Sequence, residues 1–181
     1  MIKKELFDQY PFDIHGVIWD KLTEFRFSKN TQLPKDVLCF LEEGVIRKFI
    51  LDQKPELPKE ICLDFFLAGD IFTAKADNEI ESQYIYESIS EGKLWFVSMD
   101  VVRDLFASSL LCSATQKVFM DEKLREKNIR EIQLLKSSPQ EVYTYLLAHK
   151  PRFIQHVPLK HLCSYIGVTP QALSRIRKRI N

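Results

Sequence analysis

Gln171, Ser174, Arg175 and Lys178 recur at spacings of three and four in the segment PQALSRIRKRI, which starts at Pro170 of a 181-residue chain. On a helical wheel of about 100° per residue with Gln171 at 0°, Lys178 falls near −20°, Arg175 near 40° and Ser174 near −60°, while Leu173, Ile176 and Ile180 cluster at about 140° to 200°. One face is made for a core. The other offers an amide, a hydroxyl and two cations without a carboxylate, and Arg177 and Arg179 flank it. An arginine fork matches the paired acceptors of guanine, and a glutamine amide matches the adenine edge. So many like charges repel one another along a short helix, and a phosphate-lined major groove, which admits one helix, would relieve them. The chemistry on offer is recognition of duplex DNA.

The charge of the remaining chain agrees. Glu141 is the last acid, and residues 142–181 carry Lys150, Arg152, Lys160, Arg175, Arg177, Lys178 and Arg179, a net +7. That leaves nineteen cations against twenty-five acids in residues 1–141, or −6, so the overall +1 conceals an acidic body with a basic end. Such a split is expected when only the end meets a polyanion.

The elements that must position this face are legible nearby. Ser138-Pro139-Gln140-Glu141 predicts a capping box at the start of a helix through EVYTYLLAHK, which stops before Pro151. A second helix follows Pro158, where Leu159, Leu162, Cys163 and Ile166 form one apolar stripe. Gly167 supplies a left-handed stop, Val168 packs beneath, Thr169 caps and Pro170 opens the last helix. Two helices joined by a glycine turn are the layout of a helix-turn-helix. Base contacts are expected from Gln171, Ser174, Arg175 and Lys178, and phosphate contacts from Lys160, Thr169, Arg177 and Arg179.

Farther upstream the patterning changes twice. Residues 13–24, DIHGVIWDKLTE, suggest a short helix. From Phe25 to Ser98, runs such as VLCFLEEG, VIRKFIL, ICLDFFLAGD, SQYIYESISEG and LWFVSM alternate with turn signals, which argues for an antiparallel sandwich or roll. From Asp100 to about Lys136 no Gly or Pro occurs, and a long helix is expected, with a possible break between Val102 and Ser109. Its apolar positions Leu111, Ala114, Val118, Ile129, Ile132 and Leu135 suit a packing stripe, and a homodimer is expected through it. The expected fold class is α+β, with residues 1–104 as a β-roll, 105–136 as the dimerisation helix and 137–181 as the DNA-binding part.

Other chemistry finds little support. His15, His149, His156 and His161 form no His-x-x-x-His pair, no Gly-x-Ser-x-Gly or phosphate-cradling loop occurs, and Glu42-Glu43 and Glu79 to Glu81 read as solvated carboxylates. The protein is not expected to be an enzyme. Cys39, Cys62, Cys112 and Cys163 lie among apolar neighbours without a Cys-x-x-Cys pair and read as reduced core residues, so no metal and no cofactor are expected. No run of eighteen apolar residues and no secretion-signal pattern is present; a cytoplasmic location without membrane contact is the expectation.

VPLKHLCSYIGVTPQALSRIRKRI resembles the C-terminal helix-turn-helix of the Crp/Fnr family of bacterial transcription regulators, above all its short Bacteroidetes-type members. FLAGDIFTA and LEEGVIRKF are similar to segments of that family's cyclic-nucleotide-binding-like β-roll, a cupin- or jelly-roll-like fold. The resemblance covers roughly residues 25–181. It implies a homodimer that pairs through its long helix and places two recognition helices in successive major grooves, with Pro170, Gln171 and Arg175 at the base-reading positions.

The roll departs from the nucleotide-binding pattern. Thr73-Ala74-Lys75 stand where the family has a Gly-Glu-Leu segment, Ser82-Gln83 where it has the arginine pair, and KNTQLPKD replaces an early glycine-rich hairpin. A degenerate sensor that does not bind cyclic AMP is expected. Lys75 is the one cation near the phosphate position, and Phe72 and Tyr84 are candidates to line a pocket for an unknown small-molecule effector. No cysteine cluster for an iron-sulfur sensor is present at the N-terminus. The alternative function is a ligand-binding or protein-interaction module with a vestigial helix-turn-helix, suggested by the degenerate roll and by a sequence that reaches Asn181 without a wing hairpin.

Overall fold

Alternating apolar and polar residues between Thr23 and Ser98 pair into seven strands: β1 (Thr23–Phe27), β2 (Val37–Glu43), β3 (Val45–Asp52), β4 (Lys59–Leu67), β5 (Ile71–Ala74), β6 (Ile85–Ser88) and β7 (Gly92–Ser98). The computed structural model describes residues 2–7, 18–52, 59–75, 84–108 and 110–180, apart from the side chains at 110–113 and 115. All ladders are antiparallel, in one sheet ordered β1-β7-β2-β5 and a second ordered β4-β3-β6. The two sheets face each other as a roll. Cys39 and Leu41 of β2, Ile46 of β3, Phe72 and Ala74 of β5, Tyr86 and Leu94 fill the space between them.

Each sheet also buries its outer face, and this decides where the helices go. Leu38 and Phe40 alternate with the inward residues of β2 and meet Phe7, Trp19, Val97 and Val102, so the first sheet is covered by two short 3-10 turns and by α1 (Met99–Ser108). On the second sheet, β4 has one more residue than β3 between the pairs Lys48↔Asp64 and Phe49↔Cys62. This bulge puts Cys62 on the same outer side as Phe65 and Leu67, although their sequence parity differs. That side packs on the C-terminal helices in a core containing Val142, Leu146, Phe153, Leu162, Tyr165, Leu173 and Ile176.

The helices after α1 are α2 (Leu110–Lys136), α3 (Pro139–His149), α4 (Pro151–His156), α5 (Leu159–Ile166) and α6 (Pro170–Ile180). The long helix is thus two segments, α1 and α2, divided within the expected break. At the start of α3, Glu141 N–H donates to Ser138 Oγ at 3.3 Å, and Glu141 Oε2 accepts from Ser138 N–H at 2.6 Å, the expected capping box.

Two expectations need correction, and a third holds with an addition. The helix anticipated over residues 13–24 lies partly outside the described residues; within them Ile18 is helical, but a 3-10 turn follows at Trp19–Lys21 and the chain enters β1 at Thr23. Glu42, read as a solvated carboxylate, is buried, where it pairs with Lys93 at 2.7 Å and accepts the Trp95 Nε1–H at 2.6 Å. Pro151 does end α3 but also begins α4, since proline suits a first helical position.

Candidate nucleic-acid interface

The candidate interface is built from α5, the turn at Gly167 and α6. Gly167 has φ 81° and ψ 32°, and its N–H and that of Val168 both donate to the Cys163 carbonyl, at 2.9 and 3.0 Å. This left-handed cap turns the chain from α5 into α6. Thr169 Oγ1 then accepts the Ala172 N–H at 3.2 Å, which caps α6. Leu173 is fully buried and Ile176 nearly so. They anchor one side of α6 to the shared core, with Val168 and Ile180 packed at its margin.

The opposite side is open. Gln171, Ser174, Arg175, Arg177, Lys178 and Arg179 are all exposed, as are Thr169 and Lys160 at the starts of the two helices. No acid occurs in α6, and its four cations form no ion pair among the described residues. All eight residues expected to contact DNA thus stand on the accessible surface of one helix-turn-helix, and the structure brings them together.

The whole unit is held to the roll through β4, an edge strand. Ser164 Oγ accepts the Cys62 N–H at 2.9 Å and donates to the Glu60 carbonyl at 2.8 Å, so a side chain of α5 takes the place of a missing neighbouring strand. Arg130 of α2 donates to the Tyr165 carbonyl at 2.9 Å, with its guanidinium 3.4 Å from the Tyr165 ring centroid. Arg152 donates to the Ala68 carbonyl. Arg47, Glu60, Glu87 and His161 complete the contact, a cluster that sequence reading missed.

The residues expected around an effector do not converge on one space. Phe72 belongs to the roll interior, where its ring stacks on Phe66 at 4.0 Å and lies 6.1 Å from Tyr86. Lys75 is exposed just beyond β5. Tyr84 borders a cavity of about 300 Å³ between the second sheet, α2 and α5, lined also by Lys48, Asp64, Glu126, Arg130, Glu131 and Lys150. Lys48 Nζ sits 3.6 Å from the Tyr84 ring centroid. Burial pushes the Asp64 carboxyl up, against the pull of Lys150 and a hydrogen bond from Phe65 N–H. Cys39, Cys62 and Cys163 are buried and free. No group of three or more potential metal ligands occurs among the described residues. No helix among them is long and apolar enough to cross a membrane.

No family model and no curated protein matches the sequence. Solved structures do match. A Crp/Fnr-family transcriptional regulator of Eubacterium rectale superposes with a TM-score of 0.69 at 16% identity, over 95% of this chain and 87% of that one. The chain has the Crp/Fnr fold. FixK2 of Bradyrhizobium japonicum gives a TM-score of 0.73 at 17% identity, over 88% of this chain and 84% of its own. A CooA mutant of Carboxydothermus hydrogenoformans gives 0.69 at 14%, over 99% and 84%. The likeness covers most of the chain in each case, and the α+β class expected from the sequence is the one observed.

Proposed function

We propose that the protein is a homodimeric, sequence-specific DNA-binding transcription regulator that works in the cytoplasm, with residues 1–104 as sensor roll, 105–136 as dimerisation helix and 137–181 as DNA-binding domain. The observation that carries this reading is the exposed, acid-free face of α6 opposite buried Leu173 and Ile176. A surface serving only the fold would pair its cations or intersperse acids. Gln171, Ser174, Arg175 and Lys178 read base edges, while Lys160, Thr169, Arg177 and Arg179 hold phosphates.

Pairing through α2 is supported by its exposed apolar residues. Val118 is 59% exposed, Leu124 57%, Ile132 53% and Leu135 78%. These four fall within about 120° of one another on the wheel. Four large apolar side chains in water on one helix are the mark of a surface that a second copy covers. Polar residues at Asp121 to Lys123 and at Arg125 to Asn128 interrupt the seam.

The sensor is read as degenerate. Ala74 stands fully buried at the position of the family's glutamate, and the stacked rings of Phe66 and Phe72 occupy the roll interior. An effector would instead meet the cavity beside Tyr84, whose lining offers both cations and carboxylates. The test of the central reading is selection of bound duplexes from random DNA by the purified full chain. A palindromic consensus is the expected result. Recovery of unrelated sequences would overturn the reading and favour an interaction module with a vestigial helix-turn-helix.

A further inference from the structure

Arg47 is the fully buried cation among the described residues, 4% exposed in the middle strand of the second sheet. Its side chain runs along β3 over the Phe49 ring, with the guanidinium carbon 3.9 Å from the centroid. Nε and Nη2 donate to Glu87 Oε1 at 3.1 and 2.6 Å, and Nη1 and Nη2 donate to the two oxygens of Glu60 at 2.6 and 3.2 Å. Nη1 also lies 3.2 Å from His161 Nδ1 in α5. A guanidinium has no acceptor, so His161 accepts here and is neutral, with its proton on Nε2. Three residues on, Ser164 grips the backbone of β4 from the same helix.

Stability alone does not account for this arrangement. A buried ion pair is no stronger a source of stability than well-packed apolar side chains of similar volume. What a planar fork adds is direction. Two carboxylates from β4 and β6 fix the guanidinium plane, and the guanidinium in turn fixes the His161 ring. α5 therefore has one angle on the roll, and α6 follows it through the Gly167 turn and the shared core.

We infer that Arg47 is a positioning residue for DNA recognition: clamped by Glu60 and Glu87, it sets through His161 the angle at which α6 leaves the roll, and so the half-site spacing that a dimer accepts. This inference rests on the DNA-binding reading above. Two recognition helices must lie about one helical turn of DNA, roughly 34 Å, apart to enter successive major grooves, so a change of angle at α5 appears as a change of spacing. Gln171, Ser174, Arg175 and Lys178 then decide which half-site is bound, and the Arg47 cluster decides how far apart two may be.

The experiment uses the full chain and a duplex library in which the selected half-sites are kept and the spacer between them varies. Arg47→Ala strands two carboxylates and is avoided; His161→Ala and Ser164→Ala remove the far side of the contact. The wild-type protein is expected to choose one spacing. His161→Ala should accept spacers one base pair shorter and longer while preferring the same half-site bases. It should lose about tenfold in affinity for the original spacing, the weight of one charge-assisted hydrogen bond. His161→Gln, which keeps an acceptor, should restore the single spacing. A His161→Ala or Ser164→Ala protein that folds, binds and keeps the wild-type spacing overturns the inference, and so does equal weakening on every spacer. If the wild-type protein selects no half-site at all, the DNA-binding reading itself falls, and the positioning role with it.

Discussion

Arg175 and Arg179 are both exposed cations of α6, and the proposed function gives them different tasks. Arg175 shares its face with Gln171 one turn earlier, whereas Arg179 lies at the end of the helix beside Arg177. Arg175→Ala should cost roughly 1–3 kcal/mol on the selected operator and relax the preference at one base pair per half-site. Arg179→Ala should weaken binding to all duplexes and reduce the salt dependence by about one unit per lost contact. Titration of both variants against operator, single-base variants and random DNA at several salt concentrations separates the two roles. Elsewhere His161 supplies a pH dependence. Burial first, then the charges of Arg47 and Lys160, lower its pKa from 6.5 to about 4, against the pull of Glu60 and with a further push from Lys29. The unfolded chain therefore takes up a proton between pH 6.5 and about 4 that the folded chain refuses. Stability tied to His161 is present above pH 6.5 and lost as the pH falls through about 4. Urea midpoints should drop over that window in the wild-type protein and less in His161→Gln. The exposed, acid-free face of α6 was legible because its residues are neighbours on one helix. The Arg47 cluster was not, because its partners lie 13, 40 and 114 residues away and VIRKFIL reads as an ordinary alternating strand.

Among the elements, the turn at Gly167 carries the greatest local demand. A methyl group there would meet nothing within 4 Å, so a substitution is opposed by the backbone conformation alone. Gly167→Ala should destabilise by about 1 kcal/mol and Gly167→Asn by less, since asparagine visits the left-handed region more readily. Thermal denaturation checks this order; equal stability of glycine and alanine variants would deny that the strained turn matters. Helices with paired signals were legible: Ser138 with Glu141, and Gly167 with Thr169 and Pro170. Elements lacking them were missed. α4 has six residues and no side-chain cap, and β1 and β5 are short strands whose identity comes from pairing with β7 and β2. The bulge that turns Cys62 toward α5 has no local marker, because it is defined by the register between two strands.

For the whole molecule, three parts of differing legibility combine into one claim. The acidic body and basic end were plain from charge, and the roll from its alternation. The docking of the helix-turn-helix on β4 was not, because it joins sheet and helices through a core whose two halves, Val45 to Ile89 and Val142 to Ile176, lie far apart in sequence. Light scattering should give about twice the 21.3 kDa chain mass, and Ile132→Glu with Leu135→Glu should return the protein to a single chain. Calorimetry should show no micromolar binding of cyclic AMP or cyclic GMP. The measurement that bears most directly on function is the ratio of affinities for the selected operator and for random duplex, taken at one physiological salt concentration. A ratio of about a thousand or more is expected of a sequence-specific regulator. A ratio near one would mean that α6 is only a basic surface, and would contradict the proposed function.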